Sequence, residues 1–267
     1  MRIITLIENV VNGGNLQAEH GLSLYIETET KKILFDTGQT GLFMQNAKKL
    51  GIDISDIDIV VLSHGHYDHT GGLYPFLKKN SKAKVYAKSD IFIPHYRGHT
   101  RFLGTPYHEN KLENRLIFVD SITEIAENIF IMPNIEIHHT VDTNFKGFNK
   151  KVGSNFVPDE FDDELFMTIK HEDKINILTA CSHRGISNIC STATDFFKLP
   201  VGLILGGFHM KECSILQYIH ITYYFRTLQP DSIGACHCTG IDKYAEMYME
   251  CDRDLFYNFT GNEITIK

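Results

Sequence analysis

No Cys-x-x-Cys pair occurs anywhere in the 267 residues, and the six cysteines (Cys181, Cys190, Cys213, Cys236, Cys238 and Cys251) are few for the length. The first absence excludes a zinc ribbon and a thioredoxin-type redox site. The second points to thiols rather than a disulfide framework. No run of Lys and Arg interrupts a formal net charge of -7. Broad binding to nucleic acid or to an anionic membrane needs a clustered basic surface, so neither is an expected partner. Long apolar runs are missing too: the most apolar stretch, Leu199 to Phe208, carries one Pro and three Gly, too short and too broken to span a bilayer. The opening segment Met1 to Glu8 reads as a first strand rather than a secretory signal, which makes the cytoplasm the expected location. Short repeats, low-complexity tracts and flexible linkers are also lacking. One α/β domain over residues 1–267 is the simplest expectation.

What the chain does contain is ordinary globular material, 43% hydrophobic and 22% charged, enough to fill a large core. Strand-like and helix-like segments alternate. Arg2 to Val11, Leu22 to Thr28, Lys32 to Asp36 and Ile57 to Ser63 read as strands. Leu42, Phe43, Ala47 and Leu50 share one helical face, and the helix stops at Gly51. Further strands are expected at 116–119, 129–132, 135–138, 165–170, 175–180, 201–205 and 231–235, and helices at 214–228 and 243–251. Two stretches, 91–115 and 143–163, lose all periodicity. The first, with His95, Tyr96, Arg97, His99, Arg101, Phe102, Tyr107 and His108, is a candidate lid or insertion that could stack on a ring or pair with an anion.

The densest chemical signal is His64-Gly65-His66-Tyr67-Asp68-His69, directly after the buried strand that ends at Ser63. Residues two apart on extended backbone project to the same side, so His64 and His66 can grip one ion. The chain then turns, which lets Asp68 and His69 address a neighbouring ion. Imidazole and carboxylate suit zinc first, with iron or manganese as alternatives, provided one position stays open for water.

His-x-His-x-Asp-His after a buried strand, preceded by Leu34-Phe35-Asp36-Thr37-Gly38, resembles the metallo-β-lactamase superfamily. The resemblance implies a four-layer αββα sandwich and one or two divalent metal ions. It also implies histidines at later strand ends, and Ala180-Cys181-Ser182-His183 and Ala235-Cys236-His237-Cys238 stand where they are expected. On this likeness His64, His66 and His183 bind the first metal, and Asp68, His69 and His237 the second. Asp36 supports the ligands from behind. In one place the chain departs from the pattern: Gly207, in Leu203-Ile204-Leu205-Gly206-Gly207-Phe208-His209, stands where the family carries a metal-bridging Asp. The second metal is thereby weakened, and His209 is a candidate ligand or proton donor. By strand alternation Cys236 and Cys238 face the core when His237 faces the metal.

Glu19-His20-Gly21-Leu22-Ser23, Cys181 to Ile186 and Gly206 to His209 are similar to a branch of the superfamily that includes dihydropterin-linked ribofuranosylaminobenzene phosphate synthases. The leading expectation is metal-assisted hydrolysis of a small anionic or phosphorylated molecule, with Asp68 orienting the nucleophile. A transferase of the branch type, a two-iron redox centre and a non-catalytic sensor are the rivals. The redox relatives carry a carboxylate where His66 stands and an extra flavin domain, for which this chain has no room.

Overall fold

In the computed structural model, which describes residues 1–250 and 254–266, strands rich in Ile, Leu, Val and Phe assemble into two seven-stranded sheets and one small four-stranded sheet. Contacts group the residues into two units, each drawn from separated stretches of chain. Among the described residues, the first comprises those within 1–120, 146–163 and 259–266, and the second those within 121–145, 164–250 and 254–258.

The large sheet of the first unit runs in the order Glu263–Thr265, Arg2–Ile7, Ser23–Glu27, Lys32–Phe35, Ile59–Val61, Lys84–Ala87, Leu116–Phe118. Its first pairings are antiparallel, and from Lys32–Phe35 onward every pairing is parallel. Buried residues occur on both faces of these strands, and one face carries Leu6, Tyr25, Leu34, Val60 and Val85. The helix Leu42–Lys49 lays Phe43 and Ala47 into that cluster. Its buried Asn46 donates to the carbonyls of Leu6 and Gln17, which satisfies the amide inside the core.

The second unit repeats the design. Its sheet runs Asp254–Tyr257, Ser232–Ala235, Val201–Gly206, Lys174–Leu178, Phe166–His171, Ile129–Met132, Thr123–Ala126, with the first three pairings parallel and the rest antiparallel. Helices Ile186–Phe197, Ile215–Leu228 and Ile241–Glu250 contribute Ile189, Cys190, Ala193, Ile221, Phe225 and Met247 to a core with Ile177, Ile204 and Ile233. Ser214 caps the second of these helices, its hydroxyl accepting from the Gln217 amide.

Parallel pairing has a consequence within each unit: neighbouring strands end at the same edge of the sheet. In α/β folds ligands gather at the carboxyl ends of such strands. Asp36 and Ser63-His64 follow the adjacent parallel strands Lys32–Phe35 and Ile59–Val61. Cys181-Ser182-His183, Gly207-Phe208-His209 and Cys236-His237-Cys238 follow three consecutive parallel strands of the second sheet.

Several expected elements differ. Ile135 to His138 forms no strand. The supposedly irregular 143–163 contains the antiparallel pair Phe148–Val152 and Asn155–Pro158. That pair joins His95–Arg97 and Arg101–Phe102 in the small sheet, so 91–115 has structure of its own despite its lack of apolar period. The strands of this small sheet are mostly partly exposed and carry no alternating apolar pattern, which is why period reading passes over them. Helix Ile186–Phe197 was not anticipated because Ser, Thr and Asn interrupt its apolar stripe. No helix among the described residues is long and apolar enough to cross a membrane. Cys251, read as a thiol at the end of a helix, lies outside the described residues.

Ile177 is fully buried at the centre of the second sheet. Ile177→Ala is expected to cost about 2–5 kcal/mol in urea unfolding, whereas Tyr223→Ala on an exposed helix face should stay within about 0.5 kcal/mol.

Candidate metal centre

The ligand segment is built by a change of backbone conformation. The strand Ile59–Val61 ends, His66 is still extended, and the short helix Tyr67–Thr70 begins behind it. The Thr70 amide and hydroxyl both bond to the His66 carbonyl and close this turn. The His64 and His66 rings lie with centroids 4.8 Å apart, and His64 and His69 with centroids 4.4 Å apart. All three rings are buried. Burial pushes the His66 imidazole down to about 3 and holds His64 well below its ordinary value, with the neighbouring rings adding to the effect at His64. Both are neutral at physiological pH, and neutral imidazole is the form that ligates a metal.

Asp36 orders this cluster from beneath. Its fully buried carboxylate accepts from the Ser63 amide and the Ser63 hydroxyl, each at 2.7 Å. The same carboxylate lies 2.7 Å from His69 Nδ1, which leaves Nε2 as the outward donor of that ring. Ser63 Oγ is 2.9 Å from His64 Nδ1 and orders that ring as well. Asp68 Oδ2 sits 3.2 Å from Nε2 of the exposed His20 and 3.6 Å from Nε2 of His69.

A second support was missed by sequence reasoning. His95, within the stretch read as a candidate lid or insertion, is buried, with Nδ1 2.6 Å from Asp159 and Nε2 3.4 Å from Asp163. Burial alone would lower its pKa, but the charge of Asp163 and the bonds to both carboxylates raise it to about 10. The same interaction, with burial opposing it, holds Asp163 below the usual carboxylate range. Asp163 in turn accepts the Gly65 amide at 2.6 Å. A Cβ at Gly65 would collide with the Ile91 carbonyl and lie 2.5 Å from His95 Nε2, so only glycine lets the ligand loop seat on this pair. The available signals were the Asp162-Asp163-Glu164 acidic step before a strand and a His inside an irregular stretch. Neither carries a period.

The second unit holds the remaining predicted residues. His183 is buried, and its ring lies 4.5 Å from that of the partly exposed His209. The buried Glu164 accepts the amides of His183 and Arg184, each at 2.7 Å. Asp163 and Glu164, consecutive in the chain, thus each grip the backbone of a ligand loop in their own unit. His237 begins a 3-10 turn, His237–Thr239, rather than continuing a strand. Strand alternation therefore fails at Cys238. Cys236 is buried, but the Cys238 thiol, the Cys181 thiol and an imidazole nitrogen of His237 lie within 4.8 Å of one another. Asp36, Ser182, His209 and His237 all have left-handed backbone, with φ of 60°, 56°, 49° and 52°. Non-glycine residues in that region cluster at functional sites.

Pre-oriented imidazoles beside a carboxylate in the first unit, and two thiols with an imidazole in the second, are donor sets that fit a divalent metal. Comparison with known proteins agrees. The model of the metallo-beta-lactamase superfamily matches residues 16–144. Uncharacterized protein MJ0448 of Methanocaldococcus jannaschii is 31% identical over 240 residues, 84% of this chain and 85% of that one. The 7,8-dihydropterin-6-methyl-4-(beta-D-ribofuranosyl)-aminobenzene-5'-phosphate synthase of the same organism is 29% identical over 282 residues, 99% of this chain and 96% of that one. The solved structure of Tm1679, described as a metal-dependent hydrolase of the beta-lactamase superfamily, matches with a TM-score of 0.88 at 29% identity, covering 100% of this chain and 99% of that one. The chain belongs to the metallo-β-lactamase superfamily and has the α/β fold of that family.

His95→Gln leaves Asp159 and Asp163 buried without a cation and is expected to cost about 3–5 kcal/mol near neutral pH. Because the folded pKa is raised, the stabilisation is complete below about pH 6.5 and is lost as pH rises through about 10. Urea unfolding of wild type and variant at several pH values should therefore converge toward the alkaline end. A gap that widens with pH would contradict the ion pair.

Proposed function

We propose that this chain is a metal-dependent enzyme that activates water for attack on a small anionic or phosphorylated substrate. His64, His66, Asp68 and His69 of the first unit and His183 and His237 of the second are the candidate ligands of one or two divalent ions, with zinc favoured and iron or manganese as alternatives. The observation that carries the reading is the buried His64-His66-His69 set, in which burial keeps His64 and His66 neutral, held from behind by Asp36, Ser63 and Asp163. Such outer support is what a ligand set requires and what solvated histidines lack.

When bound, one or two divalent ions polarise a substrate oxygen and lower the pKa of water from near 16 to about 7, which makes hydroxide available at neutral pH. The chain's own residues do the rest. Asp68, between His20 and His69, orients the nucleophile and can take its proton. His209 is the candidate donor to a leaving group. Arg101 is exposed and lies with a guanidinium nitrogen 3.5 Å from the Tyr67 hydroxyl, on the segment that carries His66 and Asp68. A cation there favours an anionic substrate.

A second reading is favoured by the synthase relative, which is similar over nearly the whole chain. In that reading the same centre serves a transferase that joins a pterin to a ribofuranosylaminobenzene phosphate. Product analysis separates the two: hydrolysis yields a water adduct, the transfer yields a joined product.

His66→Ala is expected to abolish both metal content and turnover, read by metal analysis of protein purified without chelator and by a screen of phosphate esters. An unaffected variant would overturn the proposal. Arg101→Ala should raise KM for a phosphorylated substrate by about tenfold or more, the value of one lost charge-assisted bond, with kcat little changed.

A further inference from the structure

The chain lacks the carboxylate its family places at position 207, and the structure explains both why and what stands there instead. A Cβ built on Gly207 would lie 2.5 Å from the Ala180 carbonyl and 2.5 Å from Cys238 Sγ. No side chain fits at 207, because the Cys238 sulfur already fills its space. Several bonds hold this arrangement. The Gly207 amide donates to the Ala180 carbonyl at 2.9 Å, Ser182 Oγ donates to the Gly207 carbonyl at 2.8 Å, and the Phe208 amide donates to Thr239 Oγ1 at 3.0 Å. The left-handed turn at His237 places Cys238 here instead of on the opposite face of a strand. Its sulfur lies 3.5 Å from the Cys181 carbonyl and within 4.8 Å of donor atoms of both Cys181 and His237.

We propose that Cys238 is a thiolate ligand of the second metal beside His237, replacing the carboxylate that Gly207 cannot supply, with Cys181 as an additional sulfur donor. The proposal rests on the metal-enzyme reading above. It restores the negative charge that the glycine removes. It also makes the site softer, since thiolate selects zinc or iron over magnesium or manganese. On binding, a sulfur–metal bond forms and the thiol proton leaves to water. Two thiols and an imidazole at adjoining strand ends are the donor classes of a zinc site, although the spacing is not that of a zinc ribbon.

The test is cobalt(II) substitution of the full chain, read by absorption, because a thiolate ligand produces a sulfur-to-cobalt charge-transfer band that imidazole and carboxylate do not. Wild type should bind cobalt and show the band. Cys238→Ser should lose most of it and bind the second ion about 10–100-fold more weakly, at least the loss seen for outer-shell partners. Cys181→Ser should lower the band, and Cys213→Ser, outside the cluster, should leave it unchanged. Retained circular dichroism establishes that the variants fold, and the wild-type spectrum is informative without any variant. Cobalt bound with no thiolate band, or a band that survives Cys238→Ser, overturns the inference while leaving the metal centre intact. Failure of wild type to bind cobalt or zinc at all overturns the metal-enzyme reading as well.

Discussion

The bonds to Asp36 are the interaction on which the histidine cluster depends. One fully buried carboxylate joins the ends of two neighbouring parallel strands by bonding to Ser63, amide and hydroxyl together, and to His69. A buried carboxylate is costly unless its oxygens are satisfied, and here the satisfying groups are the ones that must be immobile. The tautomer of His69, the orientation of His64 through Ser63 and the departure angle of the ligand loop follow from it. The second support, His95 between Asp159 and Asp163, acts on the same loop through the Gly65 amide. The loop is therefore held at two points by bonds that are present without any ligand. Preorganisation of this kind lowers the reorganisation cost of metal binding and of catalysis.

How much of this was legible in the sequence depends on whether a residue announces itself locally. His64, His66, Asp68 and His69 do, because several ligand types follow a buried strand within six residues. His183 and His237 are single histidines, recognisable only through family likeness and the apolar strands before them. Asp36 stands at a strand end and was legible as support. His95, Asp163 and Glu164 were not, since Asp159 lies 64 positions from His95 and Gly65 lies 98 from Asp163, while the backbone amide that Glu164 holds belongs to no periodic segment. Charge pairing across such separations leaves no trace in hydrophobic period. Cys238 was misread for a different reason: alternation holds only while a strand continues, and the chain leaves the strand at Ala235.

Relatives of comparable similarity carry different descriptions, a synthase in one case and a metal-dependent hydrolase in another. The fold and its donor residues set what can be activated, whereas the second reactant decides whether water or an organic group is delivered. Position 207 shows how a family centre can change composition within that frame. Once Cys238 fills the space beside Gly207, an acidic side chain could return there only if the His237–Thr239 turn moved. The glycine and the cysteine are thus one structural choice rather than two independent departures.

Backbone strain follows the same distribution. Asp36, Ser182, His209 and His237 each hold a left-handed conformation that costs about 1–3 kcal/mol for a non-glycine residue. Glycine would relieve the strain at each position but would remove the side chain and the contacts it makes. Ser182 illustrates the compensation, since its hydroxyl bonds the Gly207 carbonyl and its own carbonyl accepts from Gly185. At Asp36 the Ser23 hydroxyl meets the strained residue's carbonyl while Ser63 meets its carboxylate. Strain at these strand ends persists because the hydrogen bonds around it are buried and the two cores behind it are well packed. The sheets supply the stability that lets the ends of their parallel strands adopt geometries an isolated loop would abandon.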